Sequence, residues 1–135
     1  MKSKMMSAIM LIVIFIAAGS FTFFQGTKPW PVPDKDNKMA NPVKADASSV
    51  DAGKAIWAKQ CQSCHGKSGK GDGTKAAGLD TYPGDFTQAS VQGETDGALF
   101  YKISEGRGDM PSFKKKIPDA EDIWSVVNYM RTFKQ

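Results

Sequence analysis

The sequence predicts a mostly α-helical, loop-rich domain preceded by a hydrophobic helix and a Pro-rich linker. Apolar residues recur at helical spacing around residues 48–61, 96–105 and 119–133. No stretch alternates apolar and polar residues convincingly enough for a β-sheet. Glycines and prolines punctuate the intervening segments, which therefore read as loops.

The chain of 135 residues is one domain plus an N-terminal part. Lys2 and Lys4 precede a run without charge from Met5 to Thr27, solidly apolar over Ala8–Ile16. The small cluster Ala17-Ala18-Gly19-Ser20 suits a signal-peptidase site. Phe21, Phe23 and Phe24 instead prolong the run to the length of a bilayer-spanning helix, about 20 residues. Residues 1–27 are thus expected to be a signal peptide or an N-terminal membrane anchor. Both readings export the rest of the chain, because Lys2 and Lys4 stay inside. The domain is expected to be extracytoplasmic, on the periplasmic side, either membrane-anchored or secreted.

Residues 28–46 read as a Pro-rich linker, with Pro29, Pro31, Pro33 and Pro42 among the chain's 7 prolines. The run Lys28-Pro29-Trp30-Pro31-Val32-Pro33 is expected to be extended and stiff. Trp30 suits either an interfacial position beside an anchor or packing on the domain.

The globular domain is expected over 47–135. Its first helix is predicted from Ser48, with Asp51 completing a capping box, and Gly53, Ile56, Trp57 and Cys61 on one face. A Gly-rich loop comes next, with Gly66, Gly69, Gly71, Gly73 and Gly78. It lacks a preceding strand and the Gly-Lys-Ser/Thr ending of a phosphate loop. The second helix is predicted over Asp96–Glu105, with Thr95 as N-cap and Gly106 at its C-terminal end. The third is predicted from Asp119 to Phe133, with Ile123, Trp124, Val126, Val127 and Met130 on a buried face. Glu121 and Asp122 suit its positive N-terminal end.

The formal charge of +4 includes Lys2 and Lys4. From Asp46 onward acidic and basic residues are equal in number, with no basic stripe among aromatics, so nucleic acid is set aside as a partner.

The chemistry is concentrated in Cys61-Gln62-Ser63-Cys64-His65. These are the only 2 cysteines and the only histidine of the chain. CxxCH is the attachment signature of a c-type haem. Each thiol adds across a vinyl group of the porphyrin to form a thioether, and the adjoining imidazole can ligate the iron. A thioredoxin-like disulfide would want a βαβ context and would leave His65 unexplained. A closed zinc site needs four ligands, more than this motif offers. One covalently attached haem c is therefore the expected cofactor, and its apolar ring would enlarge a core that is marginal at roughly ninety residues.

A closed iron needs a second axial ligand, and with His65 used a methionine is the candidate. Met130 sits among apolar helical neighbours, as a gap-filler would. Met110 lies in the loop Gly106-Arg107-Gly108-Asp109-Met110-Pro111, stiffened by Pro111, and is the expected axial ligand opposite His65. The expected site is therefore Cys61, Cys64, His65 and Met110, with no catalytic residue.

With an early CxxCH and a Met-Pro pair well downstream, the chain resembles the class I monohaem cytochromes c, of an exported or membrane-anchored bacterial type. The resemblance covers about Val50 to Phe133. It implies a cytochrome c-like helical domain wrapped around its haem. It also implies a close crossing of the first and last helices, through Gly53 and Trp57 on one and Val126 and Tyr129 on the other. A proline carbonyl is expected to orient the ligating histidine, and Pro83 is the candidate, although its spacing from His65 departs from the commonest family loop. Tyr82 and Trp124 could reach a propionate or simply pack. The implied function is single-electron transfer between respiratory complexes. The donor would be a quinol-oxidising complex and the acceptor a terminal oxidase or reductase; an uncleaved N-terminal segment would add the membrane. Alternatives are an open-site haem enzyme or gas or redox sensor, and an electron-transfer subunit of a larger oxidoreductase. Lys67, Lys70 and Lys75, with Lys114, Lys115 and Lys116, would flank the exposed haem edge and could steer an acidic partner.

Overall fold

The structure, a computed structural model, describes residues 29–135. The hydrophobic segment expected at 1–27 lies outside the described residues. Among the described residues the chain runs α1 (Asp34–Asn37), α2 (Ala47–Gln60), α3 (Gln62–His65), a 3-10 turn (Ala76–Gly78), α4 (Ala89–Gln92), α5 (Asp96–Glu105) and α6 (Ala120–Arg131), with no strand.

Helix α2 begins one residue ahead of the expected Ser48, and its capping box lies elsewhere. The Asp46 carboxylate accepts from the Ser49 N–H at 3.1 Å, and the Asp46 N–H donates to Ser49 Oγ at 3.2 Å. Aspartate and serine cap about equally well by residue type, so the bonds made by Ser49 select Asp46. Ser49 also donates to Lys44 O at 2.7 Å, which holds the chain entering the helix.

Helix α5 has its expected bounds, capped by Thr95 Oγ1, which accepts from Ala98 N at 3.1 Å. Helix α6 is capped by Asp119 and stops at Arg131, before the expected Phe133. Thr132 Oγ1 bonds Tyr129 O at 2.6 Å, and Phe133 turns back onto the Trp57 ring, 5.1 Å between centroids. That ring contact replaces a further helical turn. Arg131 secures the same end, its guanidinium donating to Asp96 Oδ1, Gln92 O and Glu94 O.

Helices α2 and α6 cross at Gly53. A Cβ there would stand 2.0 Å from Ser125 O and 3.0 Å from Tyr129 Cβ, so only glycine permits this approach. Four residues on, Trp57 meets the Tyr129 ring edge-on at 5.9 Å. Val126 and Val127 are essentially sealed from solvent beside the crossing.

The described part of the expected linker does not hang free. Residues 29–46 are laid over α5 and α6 as a strap. Asn128, buried on α6, donates to Val43 O at 3.2 Å and Ser49 Oγ at 3.1 Å and accepts from Asn41 at 2.8 Å. Thr95 Oγ1 bonds Asn37 Oδ1 at 2.7 Å. Proline-imposed stiffness lowers the entropy cost of docking as readily as it extends a tether. Trp30 lies half-buried against Lys102 and Arg107, so it packs on the domain.

Candidate functional site

The end of α2 builds the first wall of a cleft. Cys61 still donates its N–H to Trp57 O, and α3 then turns so that His65 N bonds Cys61 O at 3.0 Å. The Trp57 indole N–H donates to Gly66 O at 3.0 Å and closes the turn. The Gly-rich loop folds back beneath it. Gly71 N bonds His65 O, Gly73 N bonds Cys64 O, and Lys75 N bonds Ser63 O at 2.8 Å. These contacts satisfy the carbonyls of the motif, so the loop shapes the backbone of the CxxCH turn.

Cys61, Cys64 and His65 all line this one cleft, and both cysteines are free thiols. Burial, with the neighbouring Cys64 adding, pushes the Cys61 thiol up to about 12. It is therefore a neutral thiol at pH 7, unlike the activated thiolate of a redox disulfide. The His65 ring stacks on Phe86 at 4.8 Å and lies 5.7 Å from Trp57. Burial lowers its pKa to about 4, while the Pro83 backbone carbonyl acts in the opposite direction. At pH 7 the imidazole is neutral and keeps a lone pair for a metal. Pro83 thus sits where its carbonyl is felt by the ring. Yet the buried His65 Nδ1 makes no hydrogen bond of standard geometry.

Met110 lines the same cleft. It ends a tight turn in which Arg107 N bonds Met110 O at 2.8 Å and Met110 N bonds Arg107 O at 3.0 Å. Gly106 makes that turn possible. Its φ of 69° belongs to the left-handed region, and a Cβ would stand 2.4 Å from the Pro111 carbonyl carbon. Downstream, Ser112 Oγ donates to Ser104 O at 2.6 Å, and Phe113 N bonds Ile103 O. The turn is therefore bracketed to α5 on both sides.

The cleft has a volume of about 240 Å³ and opens in part to solvent. Phe86, Ile103, Phe113 and Val126 give it apolar walls. Met130 also reaches it from α6, so both downstream methionines face the same space. Of the six lysines expected around the site, Lys75 and Lys116 line the cleft. Lys114 pairs with Glu105. Tyr82 and Trp124 lie away from the cleft. The Tyr82 hydroxyl donates to Lys70 O, and Trp124 stacks on Phe100 at 4.2 Å.

Sequence reasoning missed Phe86 as a ring partner of His65. Its position depends on a long-range bond, Phe86 N to Gly69 O at 2.7 Å, which no local pattern announces. The weak signal was its place just after Pro83-Gly84.

Residues 48–130 match the family described as cytochrome c oxidase, cbb3-type, subunit III. No curated protein matches the chain. Among solved structures, a chain of the reducing HAO-like protein complex of Kuenenia stuttgartiensis is similar, with 25% identity and a TM-score of 0.61. The match covers 83% of this chain and 54% of that one, so this chain spans about half the length of that relative.

Proposed function

We propose a single-electron carrier from one premise: this chain belongs to the cytochrome c family, through the domain described as cytochrome c oxidase, cbb3-type, subunit III. The cofactor of that family is a covalently attached haem c, one for a domain of this kind. The residues fit it. Two free thiols and a neutral imidazole face one apolar cleft, with thioethers to hand on Met110 and Met130. When bound, the haem supplies a one-electron ferric/ferrous couple.

In this reading Cys61 and Cys64 would hold the porphyrin through thioethers. His65, held by Phe86 and Trp57 with the Pro83 carbonyl nearby, would ligate the iron. Met110 would be its second protein ligand. A soft, neutral thioether favours ferrous iron and raises the potential, the pattern of electron-transfer cytochromes. The observation that carries the reading is the convergence of Cys61, Cys64, His65 and Met110 on one cleft.

A second reading keeps the chemistry and changes the setting. The solved relative is a chain of a complex, which supports a role as an electron-transfer subunit of a larger oxidoreductase. In both readings the domain, 47–135 with its strap, works outside the cytoplasm, delivered by residues 1–27 as signal peptide or anchor. Electrons would come from a quinol-oxidising complex and pass to an oxidase or reductase.

The visible spectrum of the holoprotein tests the closed site. A far-red sulfur-to-iron band in the ferric form, with no carbon monoxide bound in the ferrous form, is the expected result. A high-spin spectrum with ready carbon monoxide binding would point to an open-site enzyme or sensor instead.

Lys75 and Lys116, exposed beside the cleft, support an acidic partner face. Reversing both to glutamate is expected to slow oxidation of the ferrous protein by hexacyanoferrate(III), an anionic probe, on the order of tenfold at low salt. The wild-type rate should fall as salt rises, since the Debye length shrinks to about 10 Å at 0.1 M. A rate indifferent to both changes would remove the electrostatic case.

A further inference from the structure

The turn that carries Met110 is held at its other corners by residues distant in sequence. Arg107 opens the turn. Its Nη1 donates to Pro29 O at 2.9 Å, and its guanidinium carbon lies 4.5 Å from the centre of the Trp30 ring. Lys102, one turn earlier on α5, approaches the same ring at 5.7 Å. Asp109, just before Met110, accepts from Thr81 N at 3.1 Å, in the loop that also carries Pro83. The strap itself is fixed further along, by Asn41 on Asn128 and by Asn37 on Thr95. A chain of contacts therefore runs from α6, over α5, to the methionine turn.

We propose that Trp30 and Arg107 are positioning residues for Met110, latching its turn to the N-terminal strap. The inference rests on the reading of Met110 as an iron ligand. Two backbone bonds join Met110 to Arg107, so the turn moves as a unit. Any displacement of the turn that carried the thioether off the iron would have to break the Arg107 contacts with Trp30 and Pro29. The latch opposes that step without touching the haem. It also makes the N-terminal strap, and whatever pulls on it, a control on how firmly Met110 stays bound.

The experiment is imidazole displacement of the sixth ligand in ferric holoprotein, followed by loss of the far-red band. Arg107→Ala removes both latch contacts and should tighten apparent imidazole binding about tenfold or more. Trp30→Ala removes the ring alone and should tighten it about two- to fivefold. Trp30→Phe keeps a ring face and should stay close to wild type. Ile123→Val, in the core away from the turn, provides a control for general destabilisation. Wild-type imidazole affinity in both latch variants would overturn the inference. So would a change no larger than that of Ile123→Val at equal loss of stability. Met110→Ala separates the two levels. If it retains the far-red band, the ligand reading fails and the latch with it. If it loses the band while the latch variants behave as wild type, only the latch fails.

Discussion

Replacing Met110 with alanine is expected to abolish the far-red band, open the ferrous iron to carbon monoxide and lower the reduction potential. The fall should be on the order of 0.1 V or more, within the roughly 0.8 V that axial ligands span. The reason is stereochemical. Met110 sits at the end of a turn that Gly106 permits and that Ser104 and Ile103 bracket through Ser112 and Phe113. Its side chain is only half-buried, so truncation leaves little cavity and the fold should persist. Met130 is the necessary comparison, because it faces the same cleft. It is 3% exposed in the core between α2 and α6. Met130→Ala should therefore cost about 2–5 kcal/mol of stability, as buried methionine truncations do, while keeping the band. The reverse pattern, with the band lost in Met130→Ala and kept in Met110→Ala, would exchange the two roles.

Gly53→Ala is expected to be strongly destabilising. The added methyl would lie 2.0 Å from the Ser125 carbonyl oxygen. That atom is backbone within α6, so relief requires moving a helix. The helix is pinned at Asn128 by the strap and at Arg131 by Asp96. Overpacking costs about 1–3 kcal/mol where side chains can shift, and this site should reach or exceed the top of that range. Each kcal/mol lowers Tm by about 4–8 °C in a domain this small, so a fall above roughly 12 °C is expected. Because α2 ends in the CxxCH turn, the same variant should raise the rate at which imidazole enters the site. A thermal scan of holoprotein within about 3 °C of wild type would show that the crossing tolerates a Cβ, against the geometry.

Some of this protein was open to reading from neighbouring residues. Thr95 and Gly106 bound α5 because capping is settled among residues within one turn of each other. The CxxCH turn was legible because haem attachment requires fixed spacing. The capping box of α2 was misplaced by two residues, since Ser48 and Asp46 both offer oxygens and tertiary bonds from Ser49 choose between them. The docking of residues 29–46 was not legible in the sequence, because it depends on Asn128, whose partners lie 79 to 87 positions away.

By itself the sequence determined the three long helices, the caps of α5 and α6 and the chemical class of the site, because these arise from periodicity, local hydrogen bonding and motif spacing. Only the tertiary structure decided that Met110 shares a cleft with His65, that Phe86 stacks on the imidazole, and that Trp30 reaches the Met110 turn. Such contacts join residues far apart in the chain. They are chosen by how whole elements pack, as α2 and α6 do at Gly53, where a Cβ would stand 2.0 Å from Ser125 O.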